Sequence, residues 1–310
     1  MKSSNKNLSE SQYKRAAAIA SVTTACLLTI IKAAAAFTTG SLSILSSTAD
    51  SLADVLSSVI TFMAVIYSDR PLTCDHRYGY GKAESVSALI QAAFISGSAC
   101  FILYDAFYRF FHPVILTQTF IGVCVMIVSL LITLLLIMFQ KYVIRRIHSQ
   151  AIEADSSHYV IDLAANITVL FSLSVVHWLG WTWFDILAAV LVSFYLIFTA
   201  FKIAEKALAE ITDKEVDNSI KAIIVREILK IDGIKGYHDL RSRISGSRLF
   251  FEIHLEFDGE LSLLKTHEIA ERAEHKIVQM YPNAQVIIHQ DPYGIEEKRI
   301  DNDIIGPCAL

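Results

Sequence analysis

Residues 42–67 read LSILSSTADSLADVLSSVITFMAVIY, a mostly apolar stretch that contains two aspartates, Asp50 and Asp54. An α-helix needs about 20 mostly apolar residues to cross a bilayer, so this stretch predicts a transmembrane helix. A charged side chain near the middle of a bilayer costs at least about 2.5 kcal/mol. The two aspartates therefore predict either polar partners inside a helical bundle or a function that needs charge at that depth.

Further apolar stretches occur on both sides of this one. The chain has 310 residues, of which 54% are hydrophobic and 19% charged, and its mean hydropathy is +0.46. These values are typical of a membrane protein. Transmembrane helices are predicted at residues 16–38, 42–67, 84–110, 115–140, 152–178 and 182–203.

The composition changes after residue 204, where charged residues become much more frequent. A helical pattern is followed by two alternating strand patterns, a second helix and a third strand. This order predicts a small α-β-β-α-β domain, with a hairpin turn at Gly246 and Ser247. The predicted divisions are a cytoplasmic N-terminal tail (1–15), a six-helix transmembrane domain (16–204), a cytoplasmic metal-binding α/β domain (205–292) and a C-terminal tail (293–310).

The basic residues are distributed unequally between the two sides of the predicted bundle. Lysines and arginines lie in the N-terminal tail, in segments 68–82 and 141–146 and at Lys202, whereas the opposite loops contribute only Arg109. The positive-inside rule therefore predicts that both termini are cytoplasmic. The net charge of −4 and the dispersed basic residues argue against nucleic acid as a partner.

A second pair of polar residues, His158 and Asp162, lies on the fifth predicted helix with the same i,i+4 spacing as Asp50 and Asp54. This spacing places both members of a pair on one helix face. Three carboxylates and one imidazole suit tetrahedral Zn²⁺ and tolerate other divalent first-row ions. The sequence thus predicts an intramembrane metal site that holds protons when empty, although acids hydrogen-bonded inside the bundle remain an alternative.

Histidines are also frequent in the predicted α/β domain. His254 lies on a predicted strand and His238 precedes another, so adjacent strand ends bring imidazoles and a carboxylate together. A histidine on the second helix is expected to close over them. The candidate ligands are His238, His254, His267, His289 and Asp291. His275, which lies among charged residues, is predicted to be solvated.

At these residues the sequence resembles the cation diffusion facilitator family, close to its bacterial zinc and ferrous-iron efflux proteins. In the membrane region the resemblance rests on SLSILSSTADSLADVLSSV, GYGKAES and ADSSHYVIDLAAN. In the C-terminal domain it rests on GYHDLRSRISG, FFEIHLEF and VIIHQDP. The similarity extends from residue 15 to residue 292.

The resemblance implies a homodimeric metal/proton antiporter, not an enzyme, in the bacterial inner membrane. It would export Zn²⁺ or Fe²⁺, with Cd²⁺ as a further candidate, by alternating access. The implied transport site is Asp50, Asp54, His158 and Asp162. The metallochaperone-like α/β domain is implied to hold a cluster of two divalent metal ions, with Zn²⁺ favoured, at the dimer interface. Its implied ligands are His238, His254, His267, His289 and Asp291, with Gln290 contributed from the second protomer. Lys82 and Asp213 are implied to join a charge cluster that holds the protomers together.

The loop between the second and third helices departs from this subgroup, which commonly has an accessory metal site of one aspartate and two histidines there. Here the loop reads RPLTCDHRYGYGK, so His76 remains while Thr73 and Tyr80 occupy the other two ligand positions. We therefore expect this site to be weak or absent. Cys74 and Asp75 are alternative ligands for it.

Two other functions fit parts of this pattern. A membrane-anchored metal sensor would use the cytoplasmic histidines, but an anchor would not need Asp50, Asp54 and Asp162. An intramembrane metal-dependent hydrolase would need an open coordination position, which four protein ligands on tetrahedral zinc do not leave. The sequence also contains no H-E-x-x-H helix.

Overall fold

A computed structural model describes residues 2–39, 42–111, 120–179, 183–295 and 299. The chain divides into two compact units, Met1–Leu208 and Ala209–Leu310. The first unit is helical, and the second contains helices and a three-stranded sheet. This confirms the predicted fold class, a membrane helix bundle followed by a small α/β domain. The predicted C-terminal tail lies largely outside the described residues.

Among the described residues, six long helices form the first unit. They are α1 (Lys2–Thr39), α2 (Leu42–Ser68), α3 (Lys82–Phe111), α4 (Phe120–Ile144), α5 (Gln150–Leu179) and α6 (Trp183–Ile211). Within the described residues, five of them are long and apolar enough to cross a membrane. The helix outside that set is α5, whose first half carries Glu153, Asp155 and Asp162.

Two helices extend furthest beyond the predicted limits. Helix α1 begins at Lys2 rather than at residue 16, and Lys14 is buried in an ion pair whose Nζ lies 2.7 Å from Oε1 of Glu84. This tertiary contact explains why a polar segment joins the bundle. Helix α6 continues past residue 204 to Ile211, because KIAEKALAEI consists of good helix formers without glycine or proline.

Small side chains lie where the helices of the first unit pack together. Ala17 and Ala18 of α1 contact a buried cluster that includes Val65 of α2 and Val143 of α4. Small residues allow helices to approach closely inside a membrane, where packing replaces the hydrophobic effect. A second cluster joins α3, α5 and α6; its buried members are Ala92, Ile95, Ala99, Ile161, Leu196 and Ala200.

The second unit is a two-layer α/β structure. Its elements are α7 (Asn218–Ile228), β1 (Gly236–Ser245), β2 (Arg248–Phe257), α8 (Leu263–Met280) and β3 (Ala284–Pro292). Strand β2 is central, antiparallel to β1 and parallel to β3. Ser245 pairs with Arg248, and Gly246 between them has φ +60°, which confirms the predicted hairpin turn.

The core of this unit lies between the sheet and its helices. Phe251, Ile253 and Leu255 of β2 pack in one buried cluster with Ile269 and Ile277 of α8. Because successive side chains of a strand point to opposite faces, the even-numbered residues of β2 lie on the face away from these helices. That open face carries the histidines.

Candidate metal sites

Inside the helical unit, one histidine and two aspartates from two helices meet. Nε2 of His158 lies 3.2 Å from Oδ1 of Asp54 and 3.4 Å from Oδ2 of Asp162. One ligand atom of each residue lies within 4.8 Å of the others. The i,i+4 spacing places His158 and Asp162 on one face of α5, and contact between α2 and α5 brings Asp54 to them.

Asp50 occupies a different position from the other three predicted ligands. It lies one turn before Asp54 on α2 and its side chain is exposed. In the described structure, the intramembrane group of ligand atoms contains Asp54, His158 and Asp162 without Asp50. One further donor would complete a tetrahedral set. Asp50 is on the same helix as Asp54 and has a suitable oxygen ligand, so it remains our choice for that position.

Another carboxylate of α5, that of Asp155, is buried one turn before His158 and was missed by the sequence interpretation. It is 1% exposed. Its Oδ2 accepts hydrogen bonds from the hydroxyl of Ser21 at 2.6 Å and the amide of Gln140 at 2.7 Å. These bonds connect α5 to α1 and α4. The signal was present in the sequence, because Asp155, His158 and Asp162 follow one another at i, i+3 and i+7, a spacing that places all three near one helix face.

In the α/β unit, three histidines form a row across the sheet. His238 of β1 pairs with His254 of β2, which pairs in turn with His289 of β3. The ring centroids of His238 and His254 are 5.0 Å apart, and those of His254 and His289 are 4.6 Å apart. Paired positions share one face of a sheet, so all three imidazoles lie on the open face.

Asp291 lies among these imidazoles. Its Oδ2 is 2.8 Å from Nδ1 of His254 and 3.4 Å from Nε2 of His238. Its Oδ1 is 3.1 Å from Nε2 of His289. Asp291 is buried while His289 is largely exposed. Oδ2 of Asp291 thus faces His238 and His254, while Oδ1 faces His289. This arrangement is suited to two neighbouring cations.

Two acidic residues near this row were not predicted from the sequence. Oε1 of Glu256 lies 2.9 Å from Nδ1 of His238. Glu256 follows His254 by two positions, so strand alternation was a signal that could have revealed it. Asp239 groups with His238 and His254. Its φ is +48° at a register shift between His238 and Arg241, a local irregularity that no periodic pattern predicts.

Two predicted ligands lie elsewhere within one protomer. His267 is exposed on α8, the helix whose apolar face covers the opposite side of the sheet. Within its own chain His267 therefore lies away from the histidine row, and its role as a ligand stays a prediction. Gln290 is paired with core residue Leu255, so it lies on the face that the helices cover. His289 and Asp291 lie on the opposite, open face. His267 and Gln290 remain proposed ligands only through contact with a second protomer.

In the loop between α2 and α3, the residues at the three predicted ligand positions contact one another. The rings of His76 and Tyr80 are stacked with centroids 4.3 Å apart, and the hydroxyls of Thr73 and Tyr80 are 3.1 Å apart. Cys74 and Asp75 are exposed. Among the described residues, the potential metal-ligand groups include none of His76, Cys74 and Asp75.

The residues implied to form an interprotomer charge cluster lie in different units. Lys82 is the first residue of α3. Asp213 belongs to the second unit, where its Oδ1 is 3.5 Å from Nη1 of Arg243. The proposed role of Lys82 and Asp213 between protomers is therefore still a prediction.

An apolar helix bundle with a carboxylate–imidazole group inside it, joined to an α/β domain with a second such group, defines a membrane transporter of metal cations. Comparison with protein families supports this class. The model described as "Cation efflux transmembrane domain" matches residues 18–212, and "Cation efflux protein, cytoplasmic domain" matches residues 216–293. The chain belongs to the cation efflux family, known also as the cation diffusion facilitators, and is a multi-pass transporter rather than an enzyme.

Similar proteins share almost the full length of the chain. It is 37% identical over 289 residues to the cation-efflux pump FieF of Serratia proteamaculans (strain 568), covering 92% of this chain and 96% of the relative. It is 38% identical over 279 residues to FieF of Escherichia coli O139:H28 (strain E24377A / ETEC), covering 90% and 93%. A solved structure titled "MamM CTD - Copper form" is 18% identical with TM-score 0.24, covering 26% of this chain and 90% of its own.

Proposed function

We propose that this protein exports divalent metal cations from the cytosol in exchange for protons, by alternating access and as a homodimer. The proposed cargo is Zn²⁺ or Fe²⁺, with Cd²⁺ as a further candidate. The two relatives named cation-efflux pumps support the direction of transport. The family model for the cytoplasmic domain, which matches residues 216–293, is named ZT_dimer, and this match supports the dimer.

The observation that carries this proposal is the group of Asp54, His158 and Asp162 inside the helix bundle. A divalent cation would neutralise the two carboxylates while taking the imidazole as a nitrogen ligand. With Asp50 as fourth ligand, the loaded site has a formal charge of −1. No covalent step is needed, because binding and release on opposite sides complete the transport.

Proton exchange follows from the chemistry of the same ligands. A metal binds the deprotonated carboxylates and the neutral imidazole, so it competes with protons for these atoms. When the metal leaves, protonation of His158 or of an aspartate reduces the charge of the empty site. The protonated protein then returns to the conformation that is open to the cytosol and releases its protons there. An inward proton gradient therefore drives outward metal movement.

The histidine row of the α/β domain is the proposed second metal site. His238, His254, His289 and Asp291 fit a resident divalent cation, because their nitrogen and carboxylate donors match the preferences of Zn²⁺. The remaining proposed ligands, His267 and Gln290, would come from the second protomer. Such a shared site would stabilise the dimer and make transport respond to cytosolic metal.

The test is metal flux in proteoliposomes of the purified protein, with Zn²⁺ and anaerobic Fe²⁺ measured in parallel, with and without a pH gradient. We expect wild-type flux to increase with the gradient and to be lost in Asp54→Asn. The matched control is Glu205→Gln, which neutralises an exposed carboxylate on α6 outside the metal group.

Three outcomes would contradict the proposal. Normal flux in Asp54→Asn would remove the intramembrane group from the mechanism. Equal loss in Glu205→Gln would show that charge removal in any helix impairs transport. Metal binding without flux of either ion would favour the membrane-anchored sensor and assign the function to the histidine row.

A further inference from the structure

A cavity of about 340 Å³ lies between α3, α5 and α6 of the helical unit. Its polar lining comes from one face of α5, through Gln150, Glu153 and Ser157, and from Thr199, Lys202 and Lys206 of α6. The group of Asp54, His158 and Asp162 does not contribute to this lining. The cavity is therefore separate from the proposed transport site.

The charged side chains of the cavity do not balance one another. Lys206 forms an ion pair with Glu153, which neutralises the only carboxylate of the lining. Lys202 places its Nζ 4.5 Å from the centre of the Phe198 ring. Across the described residues, Lys202 forms no ion pair with a carboxylate. The lining thus has a net positive charge, which repels a metal cation and attracts an anion.

Gln150 adds a buried polar group without a partner. Its side chain is 6% exposed, and in the described structure its Oε1 has no hydrogen-bond partner. A buried amide group without a partner costs about 1–3 kcal/mol, and an anion recovers this cost only when the NH₂ group, rather than Oε1, faces it. The amide can rotate to present its NH₂ group as a donor, since the two orientations have nearly the same shape.

The apolar part of the lining and the position of the cavity along the bundle indicate what kind of anion fits. Ala88, Ala154 and Ile203 give the cavity methyl-lined walls beside its cations. Lys202 lies in the half of α6 that the positive-inside rule places towards the cytoplasm. Basic pockets between transmembrane helices on that side are suited to anionic lipid headgroups.

We propose that this cavity binds the phosphate of an anionic phospholipid, with Lys202 as its main charged contact. Gln150 donates a hydrogen bond to the phosphate, and the methyl groups contact the glycerol region. A headgroup without net charge, such as phosphatidylcholine, lacks the attraction to the uncompensated lysine and binds more weakly.

The experiment is native mass spectrometry of the full chain in neutral detergent, titrated with phosphatidylglycerol or with phosphatidylcholine of the same acyl chains. We expect wild type to retain phosphatidylglycerol in preference to phosphatidylcholine. In Lys202→Gln this preference should fall about fivefold, the effect of one lysine near an anionic surface. Lys202→Arg should keep the preference, because it keeps the charge.

The matched control is Lys141→Gln, which removes an exposed lysine from the last turn of α4, at the same end of the bundle but outside the cavity. This variant should retain phosphatidylglycerol as wild type does. An equal loss in Lys141→Gln would overturn the proposal in favour of general surface attraction. Unchanged retention in Lys202→Gln, with the variant folded by size-exclusion chromatography, would also overturn it.

A second arm distinguishes a lipid from free phosphate. Thermal stability of the detergent-solubilised chain is measured with millimolar inorganic phosphate and, separately, with phosphatidylglycerol. Stabilisation by phosphatidylglycerol alone, lost in Lys202→Gln, supports the lipid site. Equal stabilisation by inorganic phosphate would show that the cavity takes a soluble anion and would reject the lipid.

Discussion

In the histidine row, the imidazole of His238 contacts two carboxylates, Glu256 at one ring nitrogen and Asp291 at the other. Glu256 binds Nδ1 of His238 at 2.9 Å, so Nε2 of the same ring is directed towards Asp291. Both His238 and Glu256 are buried. A hydrogen bond to the second nitrogen of a metal-binding histidine fixes both its tautomer and its ring orientation. We therefore expect Glu256 to act as the positioning residue of the proposed metal site.

The change Glu256→Gln should weaken metal binding to the α/β domain by at least about tenfold, the lower end for loss of such a partner. Affinity is measured by competition with a chromophoric chelator on the full chain carrying Asp54→Asn, so that only the cytoplasmic site contributes. The control is Glu252→Gln on the same strand face, whose carboxylate pairs with exposed Arg241 at 2.8 Å. Equal affinities in both variants would remove the positioning role.

Individual residues also show which features can be predicted from the sequence. The pairing of His158 with Asp162 follows from helical spacing, and the row of histidines follows from strand alternation. Asp50 was predicted by the same spacing but lies outside the group. The face reached by His267 depends on how α8 packs, which is a tertiary property. Asp239 depends on a local backbone irregularity.

At the scale of elements, α5 is fixed in the bundle by a buried carboxylate that is not a proposed ligand. Asp155 accepts hydrogen bonds from Ser21 of α1 and Gln140 of α4. The hydroxyl of Ser21 is also 2.9 Å from that of Ser58 on α2. These contacts lie one turn from His158, so they determine where α5 places its ligand against Asp54.

We expect Asp155→Ala to lower the thermal stability of the full chain, because each buried donor that loses its acceptor costs about 1–3 kcal/mol. The measurement is thermal denaturation in detergent followed by tryptophan fluorescence. The control is Glu153→Ala on the same helix, whose partner Lys206 is about half exposed, and such surface pairs contribute only about 0–1 kcal/mol. If both variants melted alike, the network would not hold α5.

A buried ion pair attaches the start of α1 to α3. Glu84 is fully buried and binds Lys14 at 2.7 Å, while the hydroxyl of Ser68 donates to the same Oε1 at 2.9 Å. The sequence interpretation placed Lys14 in a polar tail, because composition alone separates polar from apolar segments. Its burial depends on Glu84, a partner 70 residues away. Partners so distant in the chain are not visible in local periodicity.

Glu84→Gln should therefore destabilise the helical unit by about 3–5 kcal/mol, since it leaves the Lys14 ammonium buried without its counter-charge. Thermal denaturation in detergent again provides the measurement. Glu153→Gln is the matched control, because Glu153 and its partner Lys206 are 43% and 47% exposed; we expect a loss of no more than about 1 kcal/mol. Comparable losses would show that burial of Lys14 is unimportant.

At the scale of the whole molecule, the chain places two potential metal sites in two separate units. One lies within the helices of Met1–Leu208, and the other lies on the sheet of Ala209–Leu310. In the proposed mechanism, every transport cycle uses the first site. The second can change the rate only through an equilibrium to which both sites contribute, so its effect must appear in the metal dependence of transport.

The final prediction tests this coupling with His254→Ala, which removes the central imidazole of the row. We expect the cytosolic metal concentration for half-maximal flux to rise by about fivefold or more, a usual lower limit for coupled sites, while flux at saturating metal persists. His275→Ala is the control, since His275 is exposed on α8 and outside both groups. Proteoliposome flux over a range of metal concentrations gives both values. A loss of saturating flux in His254→Ala would instead assign the row to the transport path, and unchanged half-maximal concentration would show that the two units bind metal independently.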